Sequence, residues 1–131
     1  MLIRVEAESR PTEDLARVRT ALENVVQGEV VVERLGEEHY LLVVETTDLK
    51  TLQPLREAIK KQQVEPAVEA YLRRRTRGGE IEILLHKQAA YAGKISLADT
   101  PNESPLGPIK ITIQGTEQEL EQAIKYLTSN Q

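Results

Sequence analysis

The chain has 131 residues, a formal net charge of −4, two histidines and no cysteine. The absence of cysteine excludes disulfides, thiolate catalysis and cysteine-based zinc sites, and the acidic balance argues against a general polyanion binder. The length suits one domain, so we expect a single α+β domain over residues 1–131.

The first part of the chain predicts one helix among three strands. Residues 2–8 alternate between apolar and polar side chains, which is the period of a strand with one wet face. Thr12, which follows a proline, is the predicted N-cap of a helix that Gly28 ends. Residues 29–35 and 39–46 are rich in β-branched side chains, and the three residues between them predict a hairpin turn.

Two consecutive helices are predicted next, each with a proline in its first turn. Pro54 and Pro66 fit positions at which a missing backbone N–H is tolerated, so we expect helices over residues 54–62 and 65–75. A Gly-Gly pair then ends the second of these helices.

The last third of the chain predicts further strands and a final helix. Residues 80–85 and 109–114 alternate like strands, and a short strand is predicted over residues 94–97, after an ordered crossing. The sequence Thr-Glu-Gln-Glu at 116–119 is a capping box that begins the final helix. We expect residues 128–131 to fray, as chain ends commonly do.

The order of the elements favours an α+β fold. Hairpins and long connections are mixed without βαβ repetition, so we predict a mainly antiparallel sheet with helices packed on it. No apolar run approaches the roughly 20 residues of a membrane-spanning helix. The N-terminal residues lack the apolar centre of a signal peptide. We therefore expect a cytoplasmic protein with no membrane partner.

Four arginines follow one another at the end of the second predicted helix of the pair. Arg73, Arg74, Arg75 and Arg77 place four guanidinium groups within five positions, inside a segment, residues 56–94, that has nine Lys or Arg and five Glu. Guanidinium groups form bidentate contacts with phosphates, which favours an RNA-binding edge. Cations also complement the dipole at the end of a helix, which is the structural alternative. Both interpretations stay open.

A second basic segment, KQAAYAGK, spans residues 87–94. Lys87 and Lys94 are candidate phosphate contacts, and Tyr91 offers a ring for stacking in a chain that has no Phe or Trp. The alternative is a tightly packed crossing, in which the small residues of the segment let two backbones approach closely.

Nothing in the sequence assembles a catalytic or metal site. Ser104 would need an imidazole base to act as a nucleophile, and nothing associates it with His39 or His86. The spacings typical of metal ligands and of phosphate-binding glycine loops are absent. We therefore expect no enzymatic activity, no cofactor and no metal.

Three segments together resemble one protein family. They are LR at 55–56 with QQV at 62–64, KQAAYAGK at 87–94 and ESPLGPI at 103–109. In this order they resemble a small archaeal family of unknown function, whose members are described as predicted RNA-binding proteins and sometimes as a proposed exosome subunit. The resemblance spans essentially the whole chain. It implies an α+β fold similar to the large-subunit ribosomal protein that contacts 5S RNA, and no known activity, substrate or cofactor.

Two hypotheses about function follow. The first is an RNA-binding module whose contacts are Arg73, Arg74, Arg75, Arg77, Lys87, Tyr91 and Lys94. The second is an interaction protein in which the same basic surface meets a protein complex or a second copy of the chain, without RNA. A shared exposed face for the six cations favours the first hypothesis, and pairing of the arginines with acidic neighbours favours the second.

Overall fold

The computed structural model describes residues 1–129, and its strands form one antiparallel sheet. The described strands are β1 (Leu2–Ser9), β2 (Val31–Gly36), β3 (His39–Thr46), β4 (Thr76–Arg77), β5 (Glu80–His86), β6 (Leu97–Ala98) and β7 (Pro108–Gln114). Their order across the sheet is β2-β3-β1-β7-β5-β4, and β6 also pairs with β5. The predicted α+β class with a mainly antiparallel sheet is confirmed.

The described helices are α1 (Leu15–Glu23), α2 (Gln53–Gln62), α3 (Glu65–Arg74), α4 (Lys87–Tyr91) and α5 (Glu117–Thr128). Short 3₁₀ turns lie at Leu49–Leu52 and Pro101–Glu103. As predicted, α2 and α3 each have a proline in the first turn. The capping box is also confirmed, because Thr116 and Glu119 each accept the other's backbone N–H. No helix within residues 1–129 has the length and apolar character needed to cross a bilayer.

One face of the sheet is apolar and packs against the helices. The inward side chains of β1 lie opposite Ile109, Ile111 and Ile113 of β7, and all of them are buried. The helices add apolar stripes whose fully buried members include Leu22 and Leu72. Burying a Leu or Ile side chain contributes roughly 1.5–3 kcal/mol, so an aliphatic core suffices without Phe or Trp.

The opposite face of the sheet, which we call the open face, is rich in carboxylates. The register of the strands places the alternate, polar residues of β1, β2, β3, β5 and β7 there. Its acidic residues are Glu6, Glu8, Glu33, Glu45, Glu80 and Glu82, and its basic strand residues are Arg4, Lys110 and Arg77, which lies opposite Glu80. None of the strand residues on this face is Phe, Tyr or Trp.

The ends of two elements differ from the sequence prediction. Asp14, not Thr12, is the N-cap of α1, and its carboxylate accepts the backbone N–H of Ala16 at 2.9 Å. This helix ends at Glu23, with Asn24 as its C-cap, so the prediction that Gly28 ends it is wrong. Thr128 does not fray. It is the last residue of α5, is buried, and donates its hydroxyl to the Ile124 carbonyl at 2.6 Å. Residues 130 and 131, also predicted to fray, lie outside the described residues.

The segment between β5 and β7 also differs from the prediction. The expected crossing begins with the five-residue helix α4, which is too short to show helical periodicity in the sequence. The short strand is Leu97–Ala98 rather than residues 94–97, because its partners are the last residues of β5. The two-residue strand β4 was also not predicted, since it exists only through its pairing with β5.

Candidate nucleic-acid interface

The arginine cluster lies at the end of α3, beside the first residues of β5. Arg73 and Arg74 form the last turn of α3, Arg75 caps it, and Arg77 belongs to β4. Strand β4 pairs with β5 at Glu80 and the next residue. The cluster therefore occupies an edge of the sheet next to the carboxylates of the open face.

Arg73 is held by two carboxylates. It donates to both oxygens of Glu121 on α5 at 2.9 and 3.0 Å, and its Nε donates to Glu69 at 3.1 Å. These contacts raise the pKa of Arg73 further and lower the pKa of Glu121. The bidentate geometry joins α3 to α5, so this guanidinium already has the kind of partner that a phosphate would offer.

Arg75 is also held by hydrogen bonds within the protein. Its side chain is 16% exposed, and it donates to the carbonyl and carboxylate of Glu82 and to the carbonyl of Asp99, all at 2.8–2.9 Å. Its guanidinium lies 5.0 Å from the ring centre of Tyr71. Burial raises the pKa of that phenol, whose hydroxyl donates to the Ala98 carbonyl at 2.7 Å. Arg75 therefore fastens the β6 segment to β5.

Arg74 and Arg77 are the accessible members of the cluster. Arg74 pairs with Asp99 at 3.1 Å, with both side chains largely exposed. Arg77 is exposed and forms no ion pair within residues 1–129. Both line an open depression of about 730 Å³ with Arg75, and three carboxylates line it as well, those of Glu80, Glu82 and Asp99. This edge is nearly neutral overall.

Lys87 does not lie on the surface. Its side chain is 6% exposed, and its ammonium donates to Glu13 at 2.9 Å and to the carbonyls of Glu8 and Leu106 at 2.7 and 2.6 Å. Burial lowers the pKa of Lys87, while the Glu13 carboxylate opposes that shift. All three donor positions of the ammonium are used, so it has none left for a phosphate.

The contacts of Lys87 explain why two of the sequence segments occur together. Lys87 opens KQAAYAGK, and Leu106 lies in the middle of ESPLGP. Arg10 holds the same loop by donating to the Pro105 carbonyl at 2.9 Å. A Cβ on Gly107, whose φ is +83°, would lie 3.3 Å from the Arg10 guanidinium. The start of KQAAYAGK and the ESPLGP loop are therefore joined by the buried hydrogen bond from Lys87 to Leu106.

Tyr91 is the exposed aromatic residue of α4. Its side chain is 45% exposed, and the Arg17 guanidinium of α1 lies 5.7 Å from its ring centre. The backbone beneath it is fixed, because the Asn24 amide donates to the carbonyls of Ala90 and Tyr91 at 2.9 and 3.3 Å. The ring is therefore presented at the surface by a well-supported backbone.

The segment that contains Lys94 contacts the end of α2, where two lysines lie that were not among the predicted RNA contacts. Gln62, at the end of α2, accepts the Ile95 N–H at 2.5 Å and donates to the Ile95 carbonyl at 3.1 Å. These bonds bring the backbone of residues 94–95 to the last turn of α2, which contains Lys60 and Lys61. The only signals for them in the sequence were the Lys-Lys pair itself and the positive charge of residues 56–94.

The structure separates the seven predicted contact residues into two groups. The arginines lie beside the start of β5, whereas α4 follows its end. A strand of seven residues spans roughly 20 Å. Tyr91 and Lys94 therefore lie away from the arginine edge, and Lys87 is inside. No group of three or more His, Cys, Asp or Glu side chains suited to a metal occurs within residues 1–129.

Comparison with known protein families gives one match that spans most of the chain. A family model described as RNA binding matches residues 2–115. Those residues include every strand, the arginine cluster and α4.

Similar proteins come from archaea. A UPF0201 protein of Metallosphaera sedula is 38% identical over 109 residues, which are 83% of this chain and 76% of that protein. One of Aeropyrum pernix is 40% identical over 114 residues, 86% of this chain and 75% of that protein. The crystal structure of a UPF0201 protein from Methanococcus jannaschii has a TM-score of 0.82, with 22% identity, and covers 100% of this chain and 95% of that one. This last likeness shows a shared fold.

Proposed function

Because this chain belongs to the family described as RNA binding, whose model spans residues 2–115, we propose that it is an RNA-binding module. That family match is the observation that carries the proposal. Arg73, Arg74 and Arg75 pair with carboxylates, which by itself favours an interaction protein. RNA binding is supported instead by exposed cations that form no ion pair within residues 1–129, such as Arg77 and Lys94, and by the exposed ring of Tyr91. The proposal includes a cytoplasmic location and a function without catalysis.

The distribution of charge indicates where RNA does not bind. The open face of the sheet carries six carboxylates and no Phe, Tyr or Trp among its strand residues, so it repels phosphates and offers no large ring on which bases can stack. RNA-binding sheets of the RRM type need aromatic residues on that face. In this protein the RNA contacts are expected elsewhere, on the helices and at the edge of the sheet.

Only some of the contact residues predicted from the sequence are part of the proposed RNA-binding surface. Arg74, Arg77, Tyr91 and Lys94 are exposed and can reach RNA. Arg73 is exposed but bound to two carboxylates. Arg75 and Lys87 hold the fold together, so we leave them out of the contact set.

A binding titration tests the proposal. Fluorescence anisotropy is measured with a labelled single-stranded RNA of about 16 nucleotides and a duplex of about 16 base pairs. We expect saturable binding that weakens at least about tenfold between about 50 and 200 mM KCl, because phosphate contacts release counterions. The variant Arg4/Lys110→Ala, which removes the arginine of β1 and the lysine of β7 from the open face, should bind like the native chain. Absence of saturable binding to either RNA at about 50 mM KCl contradicts the proposal.

A protein-interaction module is the second candidate, and strand β2 favours it. β2 is an edge of the sheet, and its Val31, Val32 and Leu35 are 57%, 40% and 50% exposed. An exposed apolar edge strand is a template for pairing with another chain. Light scattering of the native chain and of Val31→Lys separates this candidate from the first: an assembly that Val31→Lys dissolves, in a chain that binds no RNA, supports it.

A further inference from the structure

Three lysines and a tyrosine belong to two segments that meet at the end of α4. Lys60 and Lys61 come from α2, Lys94 follows α4, and Tyr91 is the last residue of α4. We infer that these four side chains, which we call the α4-end surface, bind the backbone and one unpaired base of single-stranded RNA. This inference rests on the proposed function.

The first argument is the availability of the charges. Lys60, Lys61 and Lys94 form no ion pair within residues 1–129, in contrast to Arg73, Arg74 and Arg75. Lys60, Lys61 and Gly93 line an open depression of about 530 Å³, in which Glu57 is the one acidic lining residue of the described chain. An ammonium without a carboxylate partner is free to exchange its counterion for a phosphate.

The second argument is that separate elements build the surface. The dipole of α2 attracts cations to its last turn, which accounts for Lys60 and Lys61 but not for Lys94. Lys94 arrives from another segment, and the paired hydrogen bonds between Gln62 and Ile95 fix it there. The Lys94 N–H also donates to the Ala89 carbonyl at 2.9 Å, in a turn that Gly93 makes with φ +79°. The backbone position of the third lysine is therefore set by the fold.

The third argument concerns the form of the RNA. Tyr91 lies three positions before Lys94, and nearly half of its side chain faces solvent. A ring at the surface can stack on an unpaired base, whereas the bases of a duplex are stacked on each other and not reachable. Arg17, 5.7 Å from the Tyr91 ring centre, adds a guanidinium that can stack or contact a phosphate. Tyr91 lines a different depression from Lys60 and Lys61, together with Arg17 and the carboxylates of Glu13 and Asp14. A flexible single strand can place a base on the ring and its backbone along the lysines, which a rigid duplex cannot do.

The decisive variant is Lys60/Lys61/Lys94→Ala, tested with a labelled uridine oligomer of about 16 nucleotides. Each lost phosphate contact on a single strand lowers the slope of log K against log salt by about 0.7. Three lost contacts predict a slope about 2 units shallower and binding about 100-fold weaker at about 0.1 M KCl. The matched control, Lys50/Lys110/Lys125→Ala, changes the net charge equally and should keep the native slope. Lys60/Lys61/Lys94→Arg retains the charges and should retain binding.

The contribution of the ring is measured separately. Tyr91→Ala should weaken binding to the uridine oligomer roughly tenfold without changing the salt slope, and Tyr91→Phe should bind like the native chain. Arg74/Arg77→Ala, at the other end of β5, tests the arginine edge separately and should flatten the slope less than Lys60/Lys61/Lys94→Ala does. Melting followed by circular dichroism confirms that each variant is folded.

The outcomes separate this inference from the proposed function. If the native chain binds neither the oligomer nor a duplex, the proposed function fails. If it binds and the lysine variant keeps the native slope, the inference is overturned and the function stands. A loss of binding in Arg74/Arg77→Ala alone would place the contact at the arginine edge, and tighter binding to a duplex than to the oligomer would overturn the single-strand assignment.

Discussion

At the scale of single residues, Lys87 shows how a basic side chain can be structural. Its ammonium donates to Glu8 at the end of β1, to Glu13 just before α1 and to Leu106 in the ESPLGP loop. The Glu13 carboxylate is also nearly buried, at 10% exposure. Removal of one partner leaves the other charge buried without compensation, and that penalty is much larger than the net contribution of a surface ion pair.

We predict that Lys87→Ala lowers the free energy of unfolding by about 3–5 kcal/mol. The measurement is urea denaturation, with Lys94→Ala as the control, since an exposed lysine should change stability by less than about 0.5 kcal/mol. A double-mutant cycle with Glu13→Gln should show strong coupling, because that change removes the stranded charge. Equal stabilities of Lys87→Ala and Lys94→Ala would show that the contacts of the Lys87 ammonium contribute little to the stability of the fold.

At the scale of elements, α4 depends on its neighbours more than on its own sequence. An isolated helix of five residues is unstable in water. Asn24, from the end of α1, and Gln62, from the end of α2, both bond to backbone groups of α4 or of the turn after it. Polar side chains at the ends of two other helices therefore define this element and the surface that it presents.

We predict that Gln62→Ala loosens the turn after α4 while leaving the sheet intact. Two hydrogen bonds to Ile95 are lost, at about 1 kcal/mol each. Hydrogen exchange should show faster exchange of the Ile95 amide, with unchanged protection in β1 and β7. Gln122→Ala, at an exposed position of α5, is the matched control and should leave the Ile95 amide as it is in the native chain. Unchanged protection of Ile95 in Gln62→Ala would contradict this account.

At the scale of the whole molecule, ion pairs join segments that are distant in the chain. Glu8 on β1 accepts from His39 on β3 at 3.0 Å, and this bond is the main cause of its lowered pKa. The pKa of Glu119 is lowered chiefly by its bond to the Thr116 backbone and also by the Met1 ammonium, 3.0 Å away. Glu121 is the partner of Arg73 between α5 and α3. These carboxylates connect the sheet, the N-terminus and two helices.

We therefore predict that acid destabilises the protein. A carboxyl whose pKa is lower in the folded state than its ordinary value of 4.5 binds fewer protons in the fold than in the unfolded chain below that pH. Stability is thus present above about pH 4.5 and is lost as the pH falls through the folded pKa values of the three glutamates. Urea midpoints between about pH 3 and 7 measure the loss.

The variant Glu121→Gln should reduce the pH dependence of the urea midpoint, because one of the three titrating groups is gone. Glu29→Gln is the control, since Glu29 is exposed and forms no ion pair within residues 1–129. A midpoint that stays constant down to about pH 3 would contradict the assignment of these pairs to stability.

The sequence alone specifies most of the elements and the fold class of this protein. Alternation in β1 and β7, the prolines that begin α2 and α3, and the capping box at Thr116 are local patterns, and local patterns encode elements directly. The motif segments of the sequence also indicate the family without any structural information. Elements without local periodicity, such as α4 and β4, were not predicted, because long-range pairing creates them.

Which basic residues are free, and which lie together, depends on the tertiary structure. Lys87 and Arg75 belong to patterns that resemble a binding surface, yet packing turns both inward onto carbonyls and carboxylates. Lys94 and Lys61 are far apart in the chain and become neighbours because Gln62 bonds to Ile95. Charge counts along a sequence cannot foresee such results, because pairing depends on distances across the fold and electrostatic energy depends on those distances.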